Sequence, residues 1–310
     1  MNFENIKLVP RFLSTIKSRD DVDLSIPFGN QRLNIPLLHS PMDTIGGLEM
    51  CRLFLENSLL GCFPKITELD QICRGSIVSV GLNDLLKINL LYHKYGIRYF
   101  LIDVANGFNS NVVDTIKYLK EDADTFIITG NVASKEGYQY LANLGVDAVR
   151  VGIGVGSHCL TTNNTGIGCS LVDSVIECYE ASLEMENPPL IIADGGIRQV
   201  GDIVKILAVG ADLVMIGSLF AGTKETPGEV VMHEGEKFKV YRGSASYASQ
   251  TRFKTAPYYI EGEETMVRYK GSAQKVLDKI DAGLRSAFSY LGASNMEEFK
   301  RISKECIKNV

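Results

Sequence analysis

The segment VGIGVGSHCLTTNNTGIG, residues 151–168, places a thiol inside a glycine-rich loop. A reactive cysteine must be accessible and stabilised as its thiolate, and a polar loop rich in backbone N–H groups favours both conditions. Cys159 is therefore the candidate nucleophile. The adjacent His158 is a weaker candidate for a base, because the side chains of neighbouring residues need not face each other. The other cysteines occur in apolar or helical contexts or, for Cys169, at the start of a helical run, and are interpreted as small core residues: Cys51, Cys62, Cys73, Cys169, Cys178 and Cys306.

Two further glycine segments, ADGGIR (193–198) and MIGSLF (215–220), each follow a short apolar run. Glycine lets backbone N–H groups approach an anion closely, and a following helix adds a favourable field. These segments predict a phosphate site, the alternative being that the glycines only form tight turns. The loop around the cysteine does not match the dinucleotide fingerprint, because Ser157 occupies the third glycine position of GxGxxG.

Carboxylate and amide side chains end other apolar runs. Asp194 could accept hydrogen bonds from ribose hydroxyls, or could simply cap the following turn. Asp103, in LIDVANG, has a similar position. Asn106 and Asn131 could pair with a carboxamide or a purine, although single asparagines at such places are more often turn residues.

The elements that position these residues are short apolar, β-branched runs separated by amphipathic helical segments. This alternation indicates a parallel sheet with helices outside it, and eight runs favour a closed (β/α)8 TIM barrel over an open sheet. The carboxyl ends of all parallel barrel strands face one side, so the polar residues are expected to form one site. The eight predicted strands are 38–42, 59–66, 76–82, 99–106, 125–132, 148–154, 190–197 and 213–220.

The pattern changes after the eighth predicted strand. Residues 230–271 are polar and tyrosine-rich, and we interpret them as a hairpin with EGEK (234–237) at its turn, followed by a short active-site flap at about 241–270. Helical periodicity returns at 272–293, and 295–310 is predicted as a last helix. We find no linker or repeat and predict a single catalytic domain, 1–310.

Composition excludes several classes of function. The chain has 310 residues, 45% of them hydrophobic, which suffices for a packed core, and its net charge of −5 argues against nucleic acid or a membrane surface as a partner. The amino terminus lacks the features of a signal peptide, and no apolar run is long enough to span a bilayer. Seven scattered cysteines without a CxxC motif predict a cytoplasmic protein without structural zinc.

The ordered motifs resemble one family. They are STIKSRDDVDLS, SPMDT, LIDVANG, ITGNV, RVGIGVGSHCLTT, IIADGGIR, MIGSLFAGT, YRGSAS, EGEETMVRYKG and AGLRSAFSYLGA. This set is similar to the inosine monophosphate dehydrogenase / guanosine monophosphate reductase family from about residue 10 to residue 293. The resemblance implies a TIM barrel, a homotetramer and a purine nucleoside monophosphate as substrate.

The resemblance also implies roles for individual residues. Cys159 would attack C2 of the purine and form a covalent thioimidate, and Thr161 with Glu261 would move the proton for the departing group. The substrate-binding residues would be Met42, Ser157, Asp194, Gly195, Gly196, Gly217, Ser218, Tyr241, Gly243, Ser244 and Ala245. Asp103, Val104, Ala105 and Asn106 would line the nicotinamide pocket, and the backbone carbonyls of Gly154, Gly156 and Cys159 would bind a monovalent cation such as K⁺.

The family has two branches that share this covalent adduct. The dehydrogenase oxidises IMP with NAD and hydrolyses the adduct, whereas the reductase expels ammonia from GMP and reduces the adduct with NADPH. Three features favour the reductase: no regulatory domain interrupts 63–82, the DVANG motif is the reductase form, and the flap has Arg252-Phe253 where the dehydrogenase has an Arg-Tyr pair. Glu261 matches the reductase's flap acid.

Several positions depart from the family pattern. Val155 stands where the family has proline, Leu160 and Thr162 where it has threonine and arginine, and Ser244 where it has methionine. These departures keep alternatives open: an IMP dehydrogenase without the regulatory domain, a divergent purine nucleotide reductase, or a nucleotide-binding barrel without catalysis. A phosphosugar aldolase or isomerase would need a Schiff-base lysine or a carboxylate base, and Lys65 is the one strand-end lysine.

Overall fold

The computed structural model describes residues 1–122, 124–157, 159–244, 246–247, 251 and 262–309. Its strands are β1 (Ile6–Leu8), β2 (Ile26–Phe28), β3 (Gln31–Leu33), β4 (Leu37–His39), β5 (Cys62–Phe63), β6 (Ile77–Val80), β7 (Tyr99–Asp103), β8 (Phe126–Val132), β9 (Ala148–Val151), β10 (Leu190–Asp194), β11 (Leu213–Ile216), β12 (Val231–His233), β13 (Glu236–Arg242), β14 (Glu264–Arg268) and β15 (Ile307–Asn309).

Helices separate most of the strands. They are α1 (Leu48–Glu56), α2 (Leu85–His93), α3 (Val113–Lys120), α4 (Lys135–Asn143), α5 (Thr161–Thr165), α6 (Leu171–Ser182), α7 (Val200–Ala208), α8 (Gln274–Leu291) and α9 (Met296–Cys306). The local sequence explains their limits. Ser134 and Ser170 accept hydrogen bonds from the first turns of α4 and α6, and Gly145, with a φ of 75°, follows the end of α4.

β4 to β11 form one parallel sheet in the order β4-β11-β10-β9-β8-β7-β6-β5. Its strands are almost entirely buried, because the helices cover their outer faces and the strands fill the barrel centre. The sheet is a nearly closed (β/α)8 barrel, and the predicted fold class is confirmed.

Most of the barrel strands are shorter than predicted, chiefly at their carboxyl ends. β5 ends before Pro64, β9 before Gly152 and β10 before Gly195. Proline cannot continue a ladder, and the φ values of 135° at Gly152 and 92° at Gly195 turn the chain out of the sheet. The residues predicted as strand ends therefore form loops over the barrel mouth.

The opposite end of the barrel is closed by the β2–β3 hairpin. Phe28 of this hairpin packs on Phe126 and Tyr99 at the amino ends of β8 and β7, with ring centroids 4.5 and 5.9 Å apart. Its ring is fully buried. Ligands must therefore enter the barrel from the carboxyl ends of the strands.

The segment after β11 forms a three-stranded antiparallel sheet, β12-β13-β14. The predicted hairpin is present, and its two turn residues, Glu234 and Gly235, have positive φ values of 48° and 79°, as a tight hairpin requires. Within the segment predicted as a flap, 241–242 and 264–268 are strand residues, and the flap itself stays a prediction. Ala245, Arg252, Phe253 and Glu261 lie outside the described residues, as does His158.

Two elements at the chain ends were not predicted. β15 pairs antiparallel with β1, so the segment predicted as one last helix ends as a strand instead.

Among the helices of the described ranges, none is both long and apolar enough to cross a bilayer.

Candidate active site

A cavity of about 1150 Å³ opens at the carboxyl ends of the barrel strands. The predicted site residues that line it are Met42, Asp103, Val104, Ala105, Gly154, Gly156, Ser157, Cys159, Thr161, Asp194, Gly195, Gly196, Gly217, Ser218, Tyr241, Gly243 and Ser244. Asn106 differs from them, because it is exposed and its side-chain oxygen accepts the N–H of Phe108 at 3.0 Å, as in a turn. The volume exceeds that of a typical small-molecule pocket and allows two ligands to lie side by side.

The Cys159 thiol is half-buried on the wall of this cavity. It donates to the hydroxyl of Thr161 at 3.1 Å, and the Cys159 N–H donates to the carbonyl of Gly156 at 3.1 Å. Cys159 also forms an antiparallel bridge with Gly262, which in turn bridges Ser246. The residue that follows Glu261 in the chain is thus in contact with the nucleophile's own backbone.

Two glycines bring the loop after β10 against the loop that carries Cys159. Gly195 and Gly196 have φ values of 92° and 69°, a region that side chains rarely adopt. A Cβ on Gly195 would lie 3.0 Å from Val155 Cγ2 and 3.2 Å from the Gly156 nitrogen. Glycine at this position therefore allows the two loops to meet directly.

Hydroxyl groups and backbone surround one end of the cavity. The Tyr241 hydroxyl lies 3.5 Å from the Ser157 hydroxyl, and a Cβ on Gly217 would lie 3.1 Å from the Tyr241 oxygen. Burial, together with Asp194, raises the pKa of Tyr241, so its phenol is neutral and can donate a hydrogen bond. Ser218 donates to the carbonyl of Ile197 at 3.1 Å, which joins the loops after β11 and β10.

Arg150, a residue that sequence reasoning missed, lies beneath the cavity between two carboxylates. Its guanidinium donates to Asp103 at 2.9 Å and to Asp194 Oδ2 at 2.7 and 3.2 Å. Asn131 Nδ2 donates to the same Asp194 oxygen at 2.9 Å and to the Gly152 carbonyl at 2.7 Å. All three side chains of the ion pairs are mostly buried.

The charge of Arg150 favours the ionised form of Asp103. Burial opposes the charge on Asp103, but the positive charges of Arg150 and Lys65 outweigh burial and lower the pKa of Asp103. Burial likewise opposes the charge of Arg150, and the two carboxylates more than offset it, so the pKa of Arg150 is raised. The cavity floor thus holds an ionised Asp103 beside the Arg150 guanidinium at neutral pH.

A signal for Arg150 was present in the sequence. In AVRVGIG a permanently charged residue interrupts an apolar run that was assigned to a buried strand. Such a charge needs partners inside the fold, and the sequence predicts carboxylates, Asp103 and Asp194, at the carboxyl ends of two other barrel strands. Combining the two observations would have predicted the ion pairs.

The loop after β4 is fastened to β13 by a second ion pair. Arg242 donates from Nε to both carboxylate oxygens of Asp43, at 3.2 and 3.1 Å, and from another nitrogen to Glu264 at 2.8 Å. Thr44 adds hydrogen bonds to the backbone of Arg242. This pair fixes Met42, the residue before Asp43, at the cavity wall.

Comparison with known proteins agrees with this geometry. Residues 65–308 match the family model described as "IMP dehydrogenase / GMP reductase domain". The chain belongs to the IMP dehydrogenase / GMP reductase family. Among similar family members, a GMP reductase of Staphylococcus aureus (strain bovine RF122 / ET3-1) is 33% identical over 99% of this chain and 96% of its own length. A GMP reductase of Lactobacillus delbrueckii subsp. bulgaricus is 35% identical over 99% of this chain and 95% of its own length.

Proposed function

We propose that the protein is an oxidoreductase of the GMP reductase type, which converts GMP to IMP and ammonia with NADPH. The observation that carries this proposal is the Cys159 thiol, 3.1 Å from the Thr161 hydroxyl, on the wall of the cavity that the phosphate-loop glycines also line. The similarity to two GMP reductases over almost the whole chain supports the choice between the two branches of the family.

The substrate would lie along the row of loops from β11 to β9. Ser157, Gly196, Gly217 and Ser218 would bind the 5′-phosphate with hydroxyl and backbone N–H groups. Asp194 would bind the ribose hydroxyls, with its carboxylate held in orientation by Arg150. Met42 would pack on the purine, and Gly195, Tyr241, Gly243, Ser244 and Ala245 would complete the pocket.

The chemical step would begin with attack of the Cys159 sulfur on purine C2. The thiol proton has an acceptor already in place, because the S–H points at Thr161 Oγ1. Formation of the C–S bond and departure of the 2-amino group as ammonia would leave a thioimidate on Cys159. Hydride addition at C2 and departure of the thiolate would then release IMP.

The leaving amine needs a proton, and Thr161 with Glu261 would supply it. Glu261 is outside the described residues, but its neighbour Gly262 bridges the Cys159 backbone, which supports this role. Replacing Glu261 with Gln is expected to reduce ammonia release by roughly 100-fold or more while GMP still binds.

The nicotinamide would occupy the part of the cavity on the side of Asp103, Val104 and Ala105, and Asn106 would act from the adjoining turn. Cys159 lies on the wall of the same cavity. The cavity volume of about 1150 Å³ fits a nicotinamide beside a purine nucleotide. When bound, the reduced cofactor supplies the hydride. Asp103 would orient its carboxamide or ribose, because Arg150 keeps the carboxylate ionised.

The carbonyls of Gly154, Gly156 and Cys159 would be the ligands of K⁺. The Gly156 carbonyl accepts one N–H, and the Gly154 carbonyl lies 3.5 Å from one hydroxyl. Because a carbonyl oxygen has two lone pairs, each of these two carbonyls keeps one lone pair that could coordinate a weakly held cation. Loss of turnover when K⁺ is exchanged for choline would support the site. Unchanged turnover would show that the loop is ordered without a cation.

The activity can be tested by mixing protein, GMP and NADPH and following the loss of reduced-cofactor absorbance together with IMP formation. We expect turnover in the wild type and none in Cys159→Ala. NADH formation from IMP and NAD, without GMP turnover, would instead identify the dehydrogenase. If neither reaction occurs and mass spectrometry finds no purine adduct on Cys159, the barrel binds nucleotides without catalysis.

We further propose one catalytic domain over residues 1–310, a homotetramer and a cytoplasmic location. The seven cysteines are all unpaired, which supports a reducing compartment. Size-exclusion chromatography with light scattering would measure the oligomeric state.

A further inference from the structure

The hydroxyl of Thr162 lies inside the loop that carries Cys159, although Thr162 as a whole is exposed. It is 3.1 Å from the carbonyl of Ile167 and 3.5 Å from the carbonyl of Gly154. Ile167 belongs to the outgoing side of the loop and Gly154 to the incoming side. One side chain thus contacts both sides.

Two glycines leave the space that this hydroxyl occupies. A Cβ on Gly154 or on Gly168 would lie only 2.1 Å from Thr162 Oγ1. This separation is far below van der Waals contact, so a side chain at either position would displace the hydroxyl. The close fit is specific to the oxygen, because the Thr162 Cβ would be 3.2 Å from the added carbon at Gly168.

The same helical turn connects Thr162 to the nucleophile. Thr161 accepts the Cys159 thiol and is followed directly by Thr162 in α5. Thr165 completes the turn, since its hydroxyl donates to the Thr161 carbonyl at 2.6 Å and accepts the Ile167 N–H at 3.0 Å. Movement of Thr162 would therefore move Thr161 and the thiol together.

We propose that Thr162 is a positioning residue, whose hydroxyl fastens the two sides of the loop and holds Cys159 and Thr161 at the geometry of attack. The proposal rests on the proposed function for the reaction that it serves. The effect of Thr162 on the conformational order of the loop at 152–169 does not depend on which nucleotide reacts.

The experiment compares four proteins with the wild type: Thr162→Ala, Thr162→Ser, Gly168→Ala and the Thr162→Ala/Gly168→Ala double variant. Loss of one hydrogen bond should lower kcat/KM for GMP roughly five- to tenfold in Thr162→Ala, and Thr162→Ser should remain within about twofold of the wild type. Gly168 is outside the left-handed region, so alanine there acts through contact with the hydroxyl. Gly168→Ala should be as impaired as Thr162→Ala.

The double variant is the decisive member of the set. If Gly168→Ala acts by displacing the Thr162 hydroxyl, it should have little further effect in a protein that lacks this hydroxyl. The kcat/KM of the double variant should then equal that of Thr162→Ala and should not fall by the product of the two single losses. Asn163→Ala, an exposed position in the same turn, is the matched control and should behave as the wild type.

Hydrogen exchange followed by mass spectrometry gives a readout that needs no turnover. Peptides within 152–169 should exchange faster in Thr162→Ala and Gly168→Ala than in the wild type, with Thr162→Ser restored. Wild-type kinetics in Thr162→Ala, or multiplied losses in the double variant, would overturn the proposal. If the wild type fails to reduce GMP, the proposed function fails, and the exchange pattern still decides the role of Thr162.

Discussion

The imidazole Nε2 of His39 accepts the backbone N–H of Cys62 at 3.0 Å. His39 ends β4 and Cys62 begins β5, the two strands at the ends of the sheet order. Because Nε2 is an acceptor, the ring proton is on Nδ1, which donates to the Ser40 carbonyl at 3.2 Å. A neutral side chain thus joins the two ends of the barrel sheet.

This contact predicts a loss of stability in mild acid. Burial lowers the pKa of His39 from 6.5 to about 4, so the unfolded chain takes up a proton first as the pH falls. Burial of neutral His39 makes its full contribution to the free energy of unfolding above about pH 6.5. As the pH falls from 6.5 to about 4, the free energy of unfolding decreases by roughly 3 kcal/mol. Urea unfolding across this range should show the loss in the wild type and a smaller one in His39→Gln. The exposed His93→Gln variant should retain the wild-type dependence, and an identical slope in all three proteins would contradict the prediction.

Arg150→Met is expected to lower the free energy of unfolding at pH 7 by roughly 3–5 kcal/mol, because it leaves two buried carboxylates without their partner. Arg268→Met is the control, since its 2.8 Å pair with Glu236 is exposed and should cost less than about 1 kcal/mol. Equal losses in the two variants, measured by urea titration, would argue against this account.

Gly217→Ala is expected to raise the KM for GMP by roughly tenfold or more with a small change in unfolding temperature. The added Cβ would lie 3.1 Å from both Met42 Sδ and the Tyr241 oxygen, so these two cavity-lining side chains must shift to admit it. Gly201→Ala is the matched control, because nothing lies within 4 Å of the added carbon. Steady-state kinetics of both variants test the prediction, and an unchanged KM in Gly217→Ala would show that the loop relaxes freely.

Arg242→Gln is expected to raise KM for GMP by roughly five- to tenfold, because the loop that carries Met42 loses its fastening. Asp43 is almost fully buried and would lose its cationic partner. Pairing Arg242→Gln with Asp43→Asn should recover part of the loss, since an amide pair removes the unpaired charge. A double variant as impaired as the product of both single ones would contradict this coupling.

The barrel could be predicted because each of its strands is a local signal: a short apolar run ended by glycine, proline or a carboxylate. Helix α5 could not be predicted, because its sequence TTNNT has no apolar periodicity. The helix is ordered instead by hydroxyl contacts such as that of Thr165. The β1–β15 pair could not be predicted for another reason. It joins residues about 300 positions apart, and local sequence patterns do not indicate such a pairing. The expected cavity-lining residues were found at its wall except Asn106, whose side chain serves a turn, and Glu261 and Ala245, which stay predictions.

Arg150 has a consequence for the order in which ligands act. One guanidinium is shared between Asp103 and Asp194, which we propose to bind the nicotinamide and the ribose respectively. A ligand that draws either carboxylate away changes the charge that the other one experiences. The affinities for the two ligands must then be thermodynamically linked, and by the same factor in both directions. Through Arg150, binding of one ligand at the barrel floor would therefore change the affinity of the protein for the other.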